Sequence, residues 1–262
     1  MSDEVPLLLH IPLSHYNEKA RWALDYKGIV HRRRVVGLDF YWRAWRATGQ
    51  AKTPILFLPG GRAVHDSTRI IEALEELQPH PPLYPADPAL RRRALDLEEY
   101  FDEVLGPSLR ASLVTPLFRH DPDIALRVLM TGMSKNYERL RPFARILPAF
   151  YRMRHCIRDD RLEADREQMR LALDRIESER DGRPYLVGDA FSVADLTVAA
   201  LLCPMLQPPQ IQYPLEVELP PYLREFRENT VRHPACAWAR EIHRLHRGVS
   251  VEAPRPRRAD TA

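Results

Sequence analysis

The sequence predicts an α/β domain with a mixed sheet, followed by a second, all-helical domain. Strand and helix patterns alternate in the order β-α-β-α-β-β-α over about 72 residues from Leu7, as in a compact two-layer unit. After five prolines between Pro79 and Pro88, every further pattern has helical spacing. We therefore expect domains at residues 1–78 and 89–248, a linker at 79–88 and a disordered tail at 249–262.

Composition and charge exclude several classes of protein. The chain has 262 residues, of which 45% are hydrophobic and 29% charged, as in soluble globular proteins. The net charge is only +3, so the arginine triplets at 32–34 and 91–93 are interpreted as solvated surface rather than as a nucleic-acid site. The sequence contains no apolar run of about 18 residues, so no membrane-spanning helix is predicted.

Cysteine usage and the N-terminus favour a cytoplasmic protein. Cys156, Cys203 and Cys236 are far apart, odd in number and without metal-ligand spacing, which favours reduced thiols and no metal site. The first residues lack the basic segment of a signal peptide.

The segment from Leu7 to Leu24, LLLHIPLSHYNEKARWAL, predicts a short buried strand, a turn and the start of a helix. Pro12 ends the strand, and Ser14 takes the N-cap position of the helix. Unpaired N–H groups and the positive end of the helix dipole lie there, which suits an anion. An ordinary N-cap serine explains the same pattern, so both interpretations stay open.

The other elements of the first domain follow from local patterns. Gly28 is a candidate helix C-cap, and the Gly60–Gly61 pair predicts a hairpin turn. Asp66 and Ser67 precede a helix with apolar residues at helical spacing. The predicted segments are a strand at 30–36, a helix or loop at 39–50, strands at 53–58 and 62–65, and a helix at 68–77.

The second domain reads as a series of helices. A helix through Leu90 and Val104 should kink or end at Gly106–Pro107. Ser192 and Asp195 resemble a capping box that opens an apolar, buried helix. The predicted segments are two helices between 106 and 156, a helix at 162–176, the buried helix at 193–203, a proline-rich loop at 204–221, and helices at 222–232 and 234–247.

Four motifs resemble those of the cytosolic glutathione transferases, both in their order and in their separations along the chain. They are SHYNEKAR at 14–21, TP at 53–54, DS at 66–67 and GDAFSVAD at 188–195. The resemblance covers 7–78 and about 182–204, whereas 106–160 has no counterpart. It implies a thioredoxin-like first domain, an all-helical second domain and a homodimer.

Within this resemblance, Ser14 occupies the catalytic place of the serine-type members. Lys19 and Arg21 hold the basic positions that follow it. The two thiols of a thioredoxin-like site would fall at Ser14 and Asn17, so disulfide reductase chemistry is not expected. His10 stands where the tyrosine-type members carry their hydroxyl, which excludes that type of site.

The resemblance also implies a glutathione-binding set. The bond before Pro54 should be cis, with the Thr53 backbone pairing the cysteinyl part of glutathione. Asp66 should meet the α-amino group of the γ-glutamyl end, and Ser67 its carboxylate. Three residues are candidates for the glycyl carboxylate: Lys52, Trp42 and Arg46.

The expected activity is therefore a detoxifying glutathione transferase reaction. The Ser14 hydroxyl would stabilise the glutathione thiolate for attack on a small hydrophobic electrophile, with glutathione as co-substrate and no metal. Candidate lining residues, each equally explained as helix core, are Tyr100, Phe101, Leu105, Leu109 and Tyr137. Two alternatives stay open: a non-catalytic binding or scaffold protein of this fold, and a transferase that uses another low-molecular-weight thiol.

Overall fold

The computed structural model describes residues 5–36, 46, 49, 52–129, 131, 153 and 158–254. Within these described residues, the first domain carries a four-stranded mixed sheet and two complete helices. The elements are β1 (Leu7–His10), α1 (His15–Tyr26), β2 (Arg32–Val35), β3 (Ile55–Phe57), β4 (Ala63–His65) and α2 (Ser67–Leu77). Most of the predicted helix or loop at 39–50 lies outside the described residues.

The strand order in the sheet is β2-β1-β3-β4. β1 pairs parallel with β2 and antiparallel with β3, and β3 forms a hairpin with β4. Gly60 and Gly61 make the turn with φ of 83° and 85°, a conformation that glycine adopts without steric cost. The predicted mixed sheet is thus confirmed, and β1 lies inside it with its C-terminal end leading directly to Ser14.

Helix α1 lies between the sheet and the helical domain. Its residues Ala20 and Leu24 share a fully buried apolar cluster with Leu8 of the sheet and Ile70 of α2. Trp22, also fully buried, donates from its indole nitrogen to the His246 carbonyl at 3.0 Å. Helix α1 is therefore held by both domains.

The regular secondary structure of the second domain is helical within its described residues, as predicted. α3 (Pro88–Tyr100) passes through a π-helical turn (Phe101–Leu105) into α4 (Gly106–His120), so the chain continues as a helix through Gly106–Pro107. The remaining helices are α5 (Pro122–Leu129), α6 (Leu162–Arg180), α7 (Val193–Leu206), α8 (Pro221–Thr230) and α9 (Pro234–His246), with a 3₁₀ turn at Asp159–Arg161.

Helix α7 is the centre of the second domain. It is buried along nearly its whole length, and Asp195 accepts the backbone N–H of Ser192 at 2.9 Å and of Leu186 at 2.8 Å. The predicted capping box is confirmed. The predicted end of this helix was wrong: Pro204 lies within the last turn, where packing on all sides holds the helix despite the proline.

The predicted disordered tail does not begin at Val249. The Val251 N–H donates to Asp25 Oδ1 at 3.1 Å, and the Ala253 N–H donates to the His31 carbonyl at 2.8 Å. Glu252 forms a parallel β-bridge with His31 beside β2. The polar composition suggested disorder, but a buried carboxylate and the open edge of the sheet order this segment up to Pro254. Residues 255–262 lie outside the described part.

Within the described residues, none of the helices combines the length and apolarity that crossing a bilayer requires.

Candidate functional site

Ser14 occupies the N-cap position of α1 but does not cap it with its side chain. Its φ and ψ of −77° and 125° are extended, and its carbonyl accepts the Glu18 N–H at 2.9 Å. Its hydroxyl makes no hydrogen bond to the first N–H groups of the helix. The side chain is half-buried, so an N-cap role does not account for the serine hydroxyl.

Asn17, in the first turn of α1, joins Ser14 to Thr53. Its amide nitrogen Nδ2 donates to Ser14 Oγ at 2.7 Å and to Thr53 Oγ1 at 3.2 Å. Its Oδ1 accepts the Ile11 N–H at 3.2 Å, and the residue is fully buried. Two of the predicted site residues are thus brought together by Asn17, which the sequence analysis named only as the position of an absent thiol.

The peptide bond between Thr53 and Pro54 is cis, in agreement with the expectation. Pro54 is buried at the start of β3, and Thr53 is half-buried beside Asn17. The backbone of Thr53 therefore lies next to the start of α1.

Asp66 and Ser67 lie at the N-terminus of α2. Asp66 is exposed, has a φ of 75° and a ψ of 134°, and accepts the Thr68 N–H at 2.9 Å. A positive φ at a non-glycine residue costs about 1–3 kcal/mol and concentrates at functional sites. Ser67 is 3% exposed, and the helix N-terminus around it suits a carboxylate.

Lys19 connects the two helix starts. Its Nζ lies 3.1 Å from Thr68 Oγ1 of α2 and 2.7 Å from Glu98 of α3, and it also pairs with Asp102. Burial acts to lower the pKa of Lys19, but Asp102 and Glu98 outweigh it and the pKa is raised. Lys19 is therefore a charged bridge between α1, α2 and the helical domain.

Arg21 holds the loop that carries Ser14. It donates to the Pro12 carbonyl at 2.8 Å and the Ile11 carbonyl at 3.3 Å. It also lies 2.8 Å from His10 Nδ1. Burial, followed by the charge of Arg21, lowers the pKa of His10 to about 2, so this histidine is neutral. The motif's arginine thus supports the loop, a role that its spacing alone did not predict.

Tyr16 faces the helical domain. Its hydroxyl donates to the Asp102 carbonyl in the π-helical turn at 2.7 Å. A side chain at Gly106 would collide with this hydroxyl, so glycine allows the close approach. The phenol is therefore not available for thiol chemistry.

Of the remaining candidate residues from the sequence analysis, some are exposed, some belong to the core, and some lie outside the described residues. Lys52 is exposed before Thr53, and Arg46 is an exposed helical residue, whereas Trp42 lies outside the described residues. Phe101, Leu105 and Leu109 are fully buried in the core, which favours their interpretation as packing residues. Tyr100 is half-buried and stacks on Arg175, and Tyr137 is outside the described part. Among the described residues, no group of three His, Cys, Asp or Glu is placed to hold a metal.

Two family models match this chain. The glutathione S-transferase N-terminal domain matches residues 8–82, and the glutathione S-transferase C-terminal domain matches 159–227. Together they cover more than half of the sequence. The chain belongs to the glutathione S-transferase family. The N-terminal match contains Ser14, Thr53 and Asp66, so the site described above lies within the family's first domain. Comparison with curated proteins finds no match.

Solved glutathione S-transferases have the same fold. The enzyme from Methylobacillus flagellatus KT, determined with glutathione bound, is 19% identical with a TM-score of 0.62 over 92% of this chain and 96% of its own. GSTFuA3 from Phanerochaete chrysosporium is 18% identical with a TM-score of 0.64, covering 93% and 96%. A Methylobacterium radiotolerans enzyme in complex with glutathione sulfonate is 22% identical with a TM-score of 0.55, covering 88% and 92%. At these identities the likeness is one of fold.

Proposed function

We propose that this family member is a glutathione transferase that stabilises the glutathione thiolate with the Ser14 hydroxyl. The observation that carries the proposal is the state of this hydroxyl. It lies at a helix N-terminus, does not cap that helix, and has no acceptor for its proton among the residues that the structure describes. A hydroxyl in this state is available to donate a hydrogen bond to a bound sulfur.

The free energy of one such hydrogen bond is large enough to ionise much of a bound thiol near neutral pH. A free thiol has a pKa of about 8.5, so only about 3% is thiolate at pH 7, and the thiolate is the nucleophile. A hydrogen bond to an ion contributes about 1.5–3 kcal/mol, which corresponds to roughly one to two pKa units. With the dipole of α1 added, much of a bound thiol would be ionised near neutral pH without a general base.

The positions of the other candidates support binding of the glutathione peptide. The Thr53 backbone, before the cis Pro54, lies beside Ser14 through Asn17. Asp66 and Ser67 lie at a second helix N-terminus, where the γ-glutamyl end would bind. The exposed Lys52 would meet the glycyl carboxylate. The structures of related family members with glutathione or its sulfonate bound support the same ligand class for this chain.

Removal of the γ-glutamyl contacts tests this binding mode. The double variant Asp66→Ala/Ser67→Ala should weaken glutathione binding about 10-fold or more, because hydrogen bonds to a charged group contribute about 1.5–3 kcal/mol. The measurement is calorimetric titration with glutathione and, in parallel, with other low-molecular-weight thiols.

Asp87→Ala is the matched control. Asp87 caps α3 by accepting the Ala89 and Leu90 N–H groups at 2.9 Å, so its loss removes a helix cap away from the site. Glutathione affinity should survive this change. Equal affinity of the double variant and the wild type would remove Asp66 and Ser67 from the site. Tighter binding of a different thiol would replace glutathione in the proposal.

The proposal includes a small hydrophobic electrophile, a homodimer and a cytoplasmic location. Cys203 and Cys236 are unpaired and buried, which is compatible with a reducing compartment. A symmetric dimer is the commonest oligomer and follows from the family resemblance. Light scattering should give twice the 30.5 kDa of the chain; a monomer mass at micromolar concentration would reject the dimer. Absence of turnover on activated aryl halides despite glutathione binding would favour a non-catalytic binding protein.

A further inference from the structure

The orientation of the Asn17 amide is fixed by a neighbour that can act in only one way. A backbone N–H donates and cannot accept. Because the Ile11 N–H lies 3.2 Å from Asn17 Oδ1, the oxygen has to face Ile11. The NH₂ group then faces Ser14 Oγ and Thr53 Oγ1. The assignment of oxygen and nitrogen, which at an isolated asparagine is ambiguous, is therefore determined here by the network.

This orientation settles the direction of the hydrogen bond at Ser14. A serine hydroxyl has one proton and two acceptor lone pairs. The Asn17 NH₂ group occupies one lone pair of Ser14 Oγ at 2.7 Å and has no acceptor to offer. The Ser14 proton is thus excluded from the buried side and is directed to the half-exposed side. Asn17 is fully buried, so bulk water does not replace its donation.

We infer that Asn17 is a positioning residue that holds the Ser14 hydroxyl as a hydrogen-bond donor towards a bound thiolate. The inference rests on the proposed function because that function supplies the bound thiolate. The hydrogen bond from Asn17 to Ser14 is a property of the protein alone. Reversal of the bond by an acceptor at position 17 would draw the Ser14 proton inward. Ser14 would then remain in place, but its hydroxyl would no longer donate a hydrogen bond to the bound thiolate.

The donor role of Asn17 is testable without glutathione. In a Ser14→Cys background, the pKa of the introduced thiol is measured from the pH dependence of iodoacetamide alkylation, assigned to residue 14 by mass spectrometry. An Asn17 NH₂ that donates to position 14 stabilises the thiolate there. Asn17→Ala should therefore raise this thiol pKa by about one to two units. An unchanged thiol pKa in the folded double variant would overturn the inference.

Asn17→Asp is the second variant, because it keeps an oxygen for the Ile11 N–H and changes the shape of the side chain least. With Ser14 in place, it should raise the pKa of bound glutathione and lower kcat about 10-fold, with little change in KM. In a Ser14→Ala background only the added charge acts, and we expect less than a threefold further change. Equal effects in the two backgrounds would show that Asn17 does not act through Ser14.

The two measurements separate the inference from the proposed function. A wild-type protein that binds no glutathione refutes the proposed function and the catalytic use of the donor. An Asn17→Ala change that leaves the introduced thiol unaffected refutes the donor itself. Circular dichroism and thermal melting confirm that each variant is folded before its thiol pKa is compared.

Discussion

The N-terminus of helix α1 and the rest of the helix differ in whether their polar groups have partners within the protein. In the first turn, the Ser14 hydroxyl keeps a proton with no acceptor among the described residues. From Glu18, at the end of the first turn, onwards, the charged residues Glu18, Arg21 and Asp25 are all buried and paired with opposite charges. The first arrangement leaves a group free for a ligand, whereas the second leaves none. One helix thus carries the candidate chemistry at its start and a structural ionic cluster behind it.

The ionic cluster joins distant parts of the chain. Arg247 donates to Glu18 at 2.6 Å and to Asp25 at 3.0 Å. Arg33 of β2 pairs with Asp25 at 2.7 Å, and Arg21 pairs with Glu18 at 2.7 Å. The end of α9 is therefore fixed to α1 of the first domain. Arg21 also donates to the carbonyls of the loop that carries Ser14, so the cluster stabilises that loop as well.

The largest effect is expected from removal of Arg247. Arg247→Ala leaves the carboxylates of Glu18 and Asp25 short of a partner inside the protein. Loss of one member of a buried ionic group costs about 3–5 kcal/mol. Urea unfolding should show this decrease in the free energy of unfolding.

Arg244→Ala provides the matched control for this comparison. Arg244 precedes Arg247 by less than one helical turn and pairs with Glu241, but both side chains are largely exposed. Exposed pairs contribute little, so the urea midpoint should not change measurably. If Arg247→Ala and Arg244→Ala unfold at the same urea concentration, the buried cluster has no special part in stability.

The next effect is a dependence of stability on pH that originates at Glu18. Burial acts to raise the pKa of Glu18, but the charges of Arg21 and Arg247 outweigh it and lower the pKa from 4.5 to about 2. A depressed folded-state pKa stabilises the protein fully above pH 4.5, and this contribution disappears as the pH falls towards 2. The total is about 3 kcal/mol.

The comparison of wild type with Glu18→Gln isolates this contribution. The difference in the free energy of unfolding between the two proteins should be constant at neutral pH and decrease as the solution is acidified below pH 4.5. A difference that stays constant down to pH 3 would mean that Glu18 titrates normally and that its pairing with the arginines is weak.

The sequence predicted the first turn of α1 better than the cluster behind it, for a physical reason. The position of Ser14 at a helix start is predicted by local signals, because a strand, a proline and a helix start follow one another within a few residues. The Arg247–Asp25 pair joins residues 222 positions apart, and no local pattern reports such a contact. The arginine triplet at 32–34 was interpreted as solvated surface, which was wrong for Arg33, because Arg33 is buried against Asp25. The ordered tail and the helical Pro204 were missed because tertiary contacts outweigh local composition.

The central claim is that Ser14 acts on a thiol rather than on its own helix, and one titration tests it most directly. The ultraviolet absorbance of thiolate is followed against pH for glutathione bound to wild type and to Ser14→Ala. Loss of one charge-assisted hydrogen bond should raise the pKa of bound glutathione by about one to two units and lower turnover about 10- to 100-fold, with little change in affinity. If Ser14→Ala leaves both the thiol pKa and the turnover unchanged, Ser14 has no catalytic role.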